Sequence, residues 1–287
     1  MNPTPRTVFV NGDYVPEQQA QVSVFDRGFL FADGVYEVTS VIDGKLVDFP
    51  GHCARLGRSL RELGIPAPCD DAALLAMHHE LIARNGLNEG LIYMQVTRGA
   101  EDRDFTWSDT LAPTLVAFTQ AKSLVNSPLA ARGAKVISVP DLRWQRRDIK
   151  TVQLLYPSLA KMQARAAGKD DAWLVEDGYV TEGTSNNAFI LTRDGVLVTR
   201  NLSNAILHGI TRAAVTRLAG EAGLRFEERP FTVEEVRKAS EAFVTAATSF
   251  VTPVVEIDNT AIGNGEPGPV ATRLRQLYID EARRTAI

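Results

Sequence analysis

A strand-like apolar run over residues 134–139 leads through three arginines, Arg143, Arg146 and Arg147, to a single lysine, Lys150, set before a helix-like run. A lysine amine at such a junction is placed to form an imine with a carbonyl group and then to move a proton as a base. Of the seven lysines, Lys45 lies in a hairpin, Lys122 in a polar stretch, and Lys135 opens a strand. Lys161, Lys169 and Lys238 lie on helical stretches with polar neighbours. Further along, Thr181-Glu182-Gly183-Thr184-Ser185-Asn186-Asn187 offers an acid followed by small hydroxyl and amide residues, suited to a ring nitrogen and its surroundings. His208-Gly209-Ile210-Thr211 is a glycine turn opening a helix, where backbone N–H groups suit a phosphate. An amine, an acid and a phosphate cradle are together what pyridoxal 5'-phosphate (PLP) requires of a protein. Each has a plainer reading alone: a surface lysine, an exposed hairpin-end acid, a helix cap. Arg55, able to add a bidentate charge to a phosphate, is otherwise a solvated helix arginine. The three arginines before Lys150 form the one local cationic cluster, whose plain reading is a solvated face.

Composition narrows the class. The chain has 287 residues, 45% hydrophobic and 23% charged, as expected of ordinary globular material in two modest domains or one large one. A net charge of −4 argues against a general nucleic-acid binder. Cys53 and Cys69 form no CxxC pair, so a reducing compartment is the simpler reading. The first residues carry no apolar signal core, and no stretch approaches the roughly 18 apolar residues of a membrane span. A cytoplasmic protein with no membrane partner is expected. His52, His78, His79 and His208 read as structural, with no triad spacing and no metal assigned. No P-loop or dinucleotide fingerprint is present.

The elements that must position Lys150 read as α+β. Residues 8–15 form a hairpin about Asn11-Gly12, and residues 35–49 a second about Asp43-Gly44. Pro50 opens a helix ending at Gly64, and Asp70-Asp71 caps another that stops at Asn85-Gly86. Residues 91–97 and 113–119 read as strands. Polar, proline-marked residues 121–128 serve as a linker between a small N-terminal domain (1–120) and a larger C-terminal one (129–287). In the latter, Pro157 falls in the first turn of a helix, hairpins turn at residues 176–178 and 193–195, and Thr232-Val233-Glu234-Glu235 is a capping box. Strands at 242–249 and 251–257 precede a terminal helix, 268–284.

Several blocks in one order then carry a resemblance: Asp26-Arg27-Gly28, Asp33-Gly34-Val35-Tyr36-Glu37-Val38, His52-Cys53-Ala54-Arg55-Leu56, Gln95-Val96-Thr97-Arg98-Gly99, Asp148-Ile149-Lys150, Thr181-Glu182-Gly183, Gly209-Ile210-Thr211-Arg212 and residues 243–249. The chain resembles the fold-type IV PLP-dependent transaminases, and among them most the D-amino acid aminotransferases (D-alanine transaminases), from about Val8 to Ile257. The resemblance implies a small N-terminal α/β domain, a larger C-terminal α/β pseudo-barrel domain, and a homodimer. It implies that Lys150 is the Schiff-base lysine and Glu182 the partner of the pyridine nitrogen. Arg55, Gly209, Ile210 and Thr211 would hold the phosphate, Leu207 would pack on the ring face, and Tyr36 would line the substrate site. It implies transfer of an amino group from a D-amino acid to a 2-oxo acid through a pyridoxamine form.

Two departures from the family stand out. A small hydroxyl-bearing pair in the last phosphate loop is replaced by Ala246-Ala247, leaving Ala247 a backbone contact. The substrate-carboxylate loop, Ala100-Glu101-Asp102-Arg103-Asp104-Phe105, keeps the family's arginine as Arg103 but has Phe105 where a histidine stands, and phenylalanine donates no hydrogen bond. Arg103 is expected to bind the α-carboxylate, with Asp104 drawing it into a local ion pair. The apolar Phe105 keeps open an (R)-amine or branched-chain L-amino acid transaminase. A lyase of the same fold and a non-catalytic PLP-binding protein are the further alternatives; the block at Lys150 disfavours the former, and Lys150 with Glu182 the latter.

Overall fold

The computed structural model describes residues 5–287, which fall into two compact units. One unit runs up to Ser123 and takes in Ile149–Gln153 and Thr285–Ile287; the other comprises Leu124–Asp148 and Leu154–Arg284. The fold is α+β, as the sequence pattern predicts. Among the described residues no helix is long and apolar enough to cross a membrane.

The first unit is a six-stranded sheet with two long helices. Strands β1 (Thr7–Val10) and β2 (Asp13–Pro16) pair about Asn11 and Gly12, both at positive φ, the two-residue turn that matches strand twist. A short helix α1 (Arg27–Phe31) follows, capped by Asp26, whose carboxylate accepts from the Gly28 N–H at 2.8 Å. Strand β3 (Gly34–Ile42) turns through Asp43 and Gly44 into β4 (Lys45–Leu46). Helix α2 (Phe49–Leu63) has proline in its first turn and Gly64 as a left-handed C-cap. Helix α3 (Asp71–Asn85) is capped by Asp70 and closed by Gly86. Strands β5 (Gly90–Thr97) and β6 (Thr114–Ala121) complete an antiparallel sheet in the order β2-β1-β6-β5-β3-β4.

The second unit opens with α4 (Pro128–Arg132) and β7 (Ala134–Pro140), then continues through α5 (Leu155–Ala166), β8 (Asp171–Glu176), β9 (Tyr179–Gly183), β10 (Asn187–Leu191), β11 (Val196–Thr199) and α6 (Ile210–Glu221). It ends with β12 (Arg225–Glu228), α7 (Val233–Lys238), β13 (Glu241–Ala246), β14 (Phe250–Ile257), β15 (Thr260–Ala261) and α8 (Pro269–Thr285). The sheet order is β12-β11-β10-β13-β14-β7-β8-β9, with β15 paired to β14. Parallel neighbours need a crossover: α5 links β7 to β8 and α6 links β11 to β12, while β7 and β14, also parallel, are joined only through the elements between them. The sheet curls, because the edge strand β9 passes through a short turn straight into β10, where the Gly183 N–H donates to the Asn186 carbonyl at 2.8 Å. Trp173, Phe231, Ile190, Val198 and Val244 fill its core, and Ala160 and Ala164 of α5 pack with Leu174 and Val139. The capping box closes as predicted: Thr232 Oγ1 accepts from the Glu235 N–H, and Glu235 accepts from the Thr232 N–H.

Strand directions place the functional segments. With β10 antiparallel to β11 and β13, and β13 antiparallel to β14, the ends of β11 and β13 and the starts of β10 and β14 share one end of the sheet. That end therefore carries Asn187, the segment running from Leu207 to Thr211, and the turn at Ala247. Arg275 of α8 holds this last turn. Its guanidinium donates to the carbonyls of Ser249 (2.7 Å), Val251 (2.8 Å) and Val125 (3.0 Å) and to that of Leu124. Between the first two lies Phe250 at φ +58°, a strained conformation for a bulky residue. Arg275→Met should therefore lower stability by about 3 kcal/mol, the cost of carbonyls left without a donor, read as a shifted urea midpoint. An unchanged midpoint would show that the turn holds itself.

Candidate functional site

Lys150 belongs to the five-residue segment Ile149–Gln153 that lies with the first unit. The segment is stitched to β3: the Tyr36 N–H donates to the Lys150 carbonyl at 3.0 Å, and the Val152 N–H to the Gly34 carbonyl at 3.1 Å. The Lys150 N–H also reaches Ser59 Oγ of α2 at 3.5 Å. Backbone pairing on both sides fixes where the side chain starts. Its Nζ lies 4.1 Å from the centre of the Tyr36 ring, and both residues are half-buried. No carboxylate among the described residues lies within ion-pair distance of that amine. Lys150 and Tyr36 are thus brought together, as their assignment to one site requires.

Arg55 is buried on α2 and forks onto Glu37 of β3, Nε to Oε1 at 2.8 Å and Nη2 to Oε2 at 2.7 Å. His52, one turn earlier, meets Glu37 Oε2 through Nδ1 at 2.7 Å. Burial alone would push the Glu37 carboxyl up, but the charge and hydrogen bonds of Arg55, aided by His52, bring it down to about 2. Arg55 is no solvated helix arginine. A carboxylate fixes its guanidinium plane, the rigid fork that phosphate recognition uses.

The loop bearing Arg103 and Phe105 departs from expectation in one respect. Asp104 does not pair with Arg103. Its Oδ1 instead accepts from the Thr106 N–H at 2.9 Å and the Thr106 hydroxyl at 2.8 Å, because a carboxylate two residues before an N–H closes a local turn. Exposed Arg103 lies over the rings of Phe31 (5.3 Å) and Phe105 (5.6 Å). Arg27, 3% exposed, holds the loop by donating to the carbonyls of Asp104 and Thr106, while Trp107 stacks on Arg98 at 4.0 Å. Arg27 and Arg98 both pair with Asp33. The neighbouring arginines are therefore committed to the scaffold, and Arg103 is the guanidinium this loop presents.

In the second unit the buried carboxylate of Glu182 is the centre of a dense donor set. Its Oε1 accepts from Arg143 at 2.6 Å; its Oε2 accepts from Asn187 Nδ2 at 2.9 Å and from the Leu207 N–H at 3.1 Å. Burial pushes its pKa up, against the opposing Arg143 charge. Glu182 is thus not the exposed hairpin acid of the plain reading, and the solvated-face reading of the arginines also fails. Arg147 is 5% exposed and pairs with Glu176, Arg143 is largely buried, and only Arg146 keeps substantial exposure. In the sequence Asn187 stands within a motif without a role of its own, and Arg143 stands out only as part of a cationic cluster. An amide five residues after an acid was the available signal for Asn187.

The cradle fits a phosphorylated ring. Gly209 caps α6 without a side-chain bond, leaving the first N–H groups, at Ile210 and Thr211, to an outside acceptor. A Cβ at Gly209 would stand 2.1 Å from Asn187 Oδ1, so any side chain there would displace the Asn187 amide. Thr245, paired with Asn187 across the strands, has a buried hydroxyl with no partner. Leu207, Gly209, Ile210 and Ala247 are half-buried. The structure therefore places Glu182, Leu207, Gly209, Ile210, Thr211 and Ala247 in one unit, and Lys150, Tyr36, Arg55, Arg103 and Phe105 in the other. A cavity of about 840 Å³ in the first unit, lined among others by Phe9, Tyr14, Val22, Cys69, Met77 and Pro113, includes none of these residues.

Residues 34–257 match the Amino-transferase class IV family. The chain belongs to that family. It is 37% identical over 284 residues to a D-alanine aminotransferase of Bacillus licheniformis, covering 97% of this chain and 99% of that one. A branched-chain amino acid aminotransferase from T.th., solved with pyridoxamine 5'-phosphate, superposes with a TM-score of 0.89 at 28% identity, covering 97% and 94% of the two chains. A Legionella pneumophila protein described as a putative 4-amino-4-deoxychorismate lyase superposes at 0.83 with 26% identity, over 92% and 97%. The fold thus serves more than one described activity, and the aminotransferase assignment rests on family membership and on relatives matched nearly end to end.

Two outcomes follow for this site. Glu37 has a folded pKa of about 2 against an ordinary 4.5. Its stabilising contribution is thus complete above about 4.5 and is lost as pH falls toward 2. Glu37→Gln should flatten acid unfolding in that window and, by stranding the buried Arg55 charge, cost about 3–5 kcal/mol at neutral pH. Matching pH profiles for variant and wild type would contradict the coupling. Gly209→Ala should push Asn187 off Glu182 and weaken binding of PLP to the apo-protein at least tenfold by fluorescence titration, and unchanged affinity would remove Gly209 from the cradle.

Proposed function

We propose that this aminotransferase uses pyridoxal 5'-phosphate to move an amino group between a D-amino acid of the D-alanine or D-glutamate type and a 2-oxo acid. The observation that carries the reading is Lys150, an amine fixed by backbone pairing on β3, set over Tyr36 and without a carboxylate partner. When bound, PLP supplies a carbonyl that condenses with amines and a ring that draws electrons from the substrate Cα. The chain supplies the rest. Lys150 would anchor the cofactor and would hold and move the proton at Cα. Glu182 would pair with the ring nitrogen, Leu207 would pack on the ring, and Arg55, Gly209, Ile210, Thr211 and Ala247 would take the phosphate. Arg103 binds the substrate carboxylate, since a carboxylate taken from water without a cation is costly. Tyr36 and Phe105 wall the substrate.

D-amino acid donors are favoured by the near full-length identity to D-alanine aminotransferases and by Arg103, which Asp104 leaves available. The second reading, an (R)-amine or branched-chain L-amino acid transaminase, draws on Phe105, 77% exposed where a hydrogen-bonding residue was expected. Bare apolar side chains at Phe25, Phe29 and Phe105 in one unit, and at Leu155, Leu159 and Met162 along α5 in the other, support a homodimer that covers them.

Single-turnover absorption without an acceptor tests the substrate class. D-alanine should convert the visible cofactor band to that of the amine form, faster than L-leucine or (R)-1-phenylethylamine. Conversion by either of the latter alone would assign the site to the second reading. Arg103→Ala should raise KM for D-alanine roughly ten- to a hundredfold, the range of a lost charged hydrogen bond. An unchanged KM would take Arg103 out of that role.

A further inference from the structure

Glu182 does not end at its own donors. Arg143, which donates to its Oε1, forks back onto Asp141 through Nε at 2.9 Å and Nη2 at 2.7 Å. Asp141, with its side chain fully buried, also accepts from the Thr181 hydroxyl at 2.7 Å and lies 3.5 Å from Arg147 Nη1. Arg147 in turn forks onto Glu176 at 2.8 and 2.7 Å, and Glu176, 32% exposed, brings the chain to the surface. Glu182, Arg143, Asp141, Arg147 and Glu176 thus alternate in sign over one continuous path. Glu182 and Asp141 balance Arg143 and Arg147 in the buried stretch, and the third carboxylate, Glu176, lies at the partly exposed end. Glu182 Oε2 has two donors and Oε1 only one, so the remaining acceptor position is on the oxygen that Arg143 holds.

We propose that Arg143 is a positioning residue that keeps a proton on the cofactor's ring nitrogen and off Glu182, with Asp141, Arg147 and Glu176 as the relay that fixes it. The inference rests on the PLP reading above. One proton is shared between two sites, Glu182 Oε1 and the ring nitrogen. A guanidinium hydrogen-bonded to Oε1 is nearer the carboxylate than the ring, so its charge favours the ionised carboxylate and leaves the proton on nitrogen. Charges then alternate from the ring to the surface. Without Arg143 the neutral pair, a carboxylic acid beside an uncharged pyridine, becomes the better state in a buried setting, since neither partner then carries charge. The ring loses its positive charge and with it much of its pull on Cα electrons. Asp141 sets the orientation, because its two oxygens take the Nε and Nη2 edge and leave Nη1 to Glu182.

The test is magnetic resonance of the reconstituted holoenzyme, with PLP isotopically labelled at its ring nitrogen. Wild type at neutral pH should show a pyridinium resonance. Arg143→Met should move it to the position of a neutral pyridine, Arg143→Lys should return it most of the way, and Asp141→Asn, of nearly the same shape, should move it partly. Asp141→Asn carries the test if Arg143→Met does not fold. A purely structural role would weaken PLP binding and leave the resonance where it is; that result in either variant would overturn the proposal. Wild type that binds PLP with a neutral ring would overturn the pairing of Glu182 with the ring nitrogen, and wild type that binds no PLP would overturn the cofactor reading beneath both.

Discussion

A carboxylate removed from water is the constraint around which the second unit is arranged. Glu182 is 3% exposed, and burial of an unpaired charge costs several kcal/mol. Three separate segments meet that cost. Loop residue Arg143 supplies the countercharge, β10 supplies the Asn187 amide, and the run into α6 supplies the Leu207 N–H. The same Asn187 amide also donates to the Leu207 carbonyl at 2.9 Å, so the carboxylate and the phosphate-side loop are held as one piece. Gly209 is glycine because Asn187 occupies the space where a Cβ would go. The proposed ring-nitrogen partner and the proposed phosphate cradle are therefore tied together through Asn187.

The first unit repeats the principle with opposite sign. There a buried guanidinium, Arg55, is the expensive group, and Glu37 and His52 meet it. Tyr36 and Glu37 are neighbours on β3, so alternation along the strand sends one toward Lys150 and the other toward Arg55. The Asp26-Arg27-Gly28 and Thr97-Arg98-Gly99 blocks turn out to be scaffold. Asp26 caps α1 and takes the Thr97 hydroxyl, and Arg27 and Arg98 hold the loop that ends in Trp107. Both blocks brace the loop that carries Arg103.

Local chemistry was readable from the chain and distant pairing was not. The Asn11-Gly12 and Asp43-Gly44 turns, Pro50 and Gly64 about α2, and the Thr232/Glu235 box are each encoded within a few residues, and each formed as read. Lys150 stood out for the same reason, by its place between a strand and a helix. The burial of Arg143 and Arg147 was invisible. Besides nearby Asp141, their carboxylates lie 39 residues away at Glu182 and 29 away at Glu176, and a cluster of arginines reads alike whether it faces water or acids. Asp104 misled because adjacency in sequence suggested an ion pair with Arg103, whereas a carboxylate that close to Thr106 closes its own turn. The strand β12 was missed because its Arg-Phe-Glu-Glu sequence is mostly exposed and lacks apolar alternation. Its parallel pairing with β11 arises only after α6 has crossed over.

We propose Lys150 as the covalent anchor among the seven lysines. The direct measurement is borohydride reduction of the PLP-loaded protein, followed by proteolysis and mass spectrometry of every lysine-bearing peptide. The account predicts a stoichiometric pyridoxyl group on Lys150 and none on the other six. A label on any other lysine, or no label on a protein that has visibly taken up the cofactor, would contradict it.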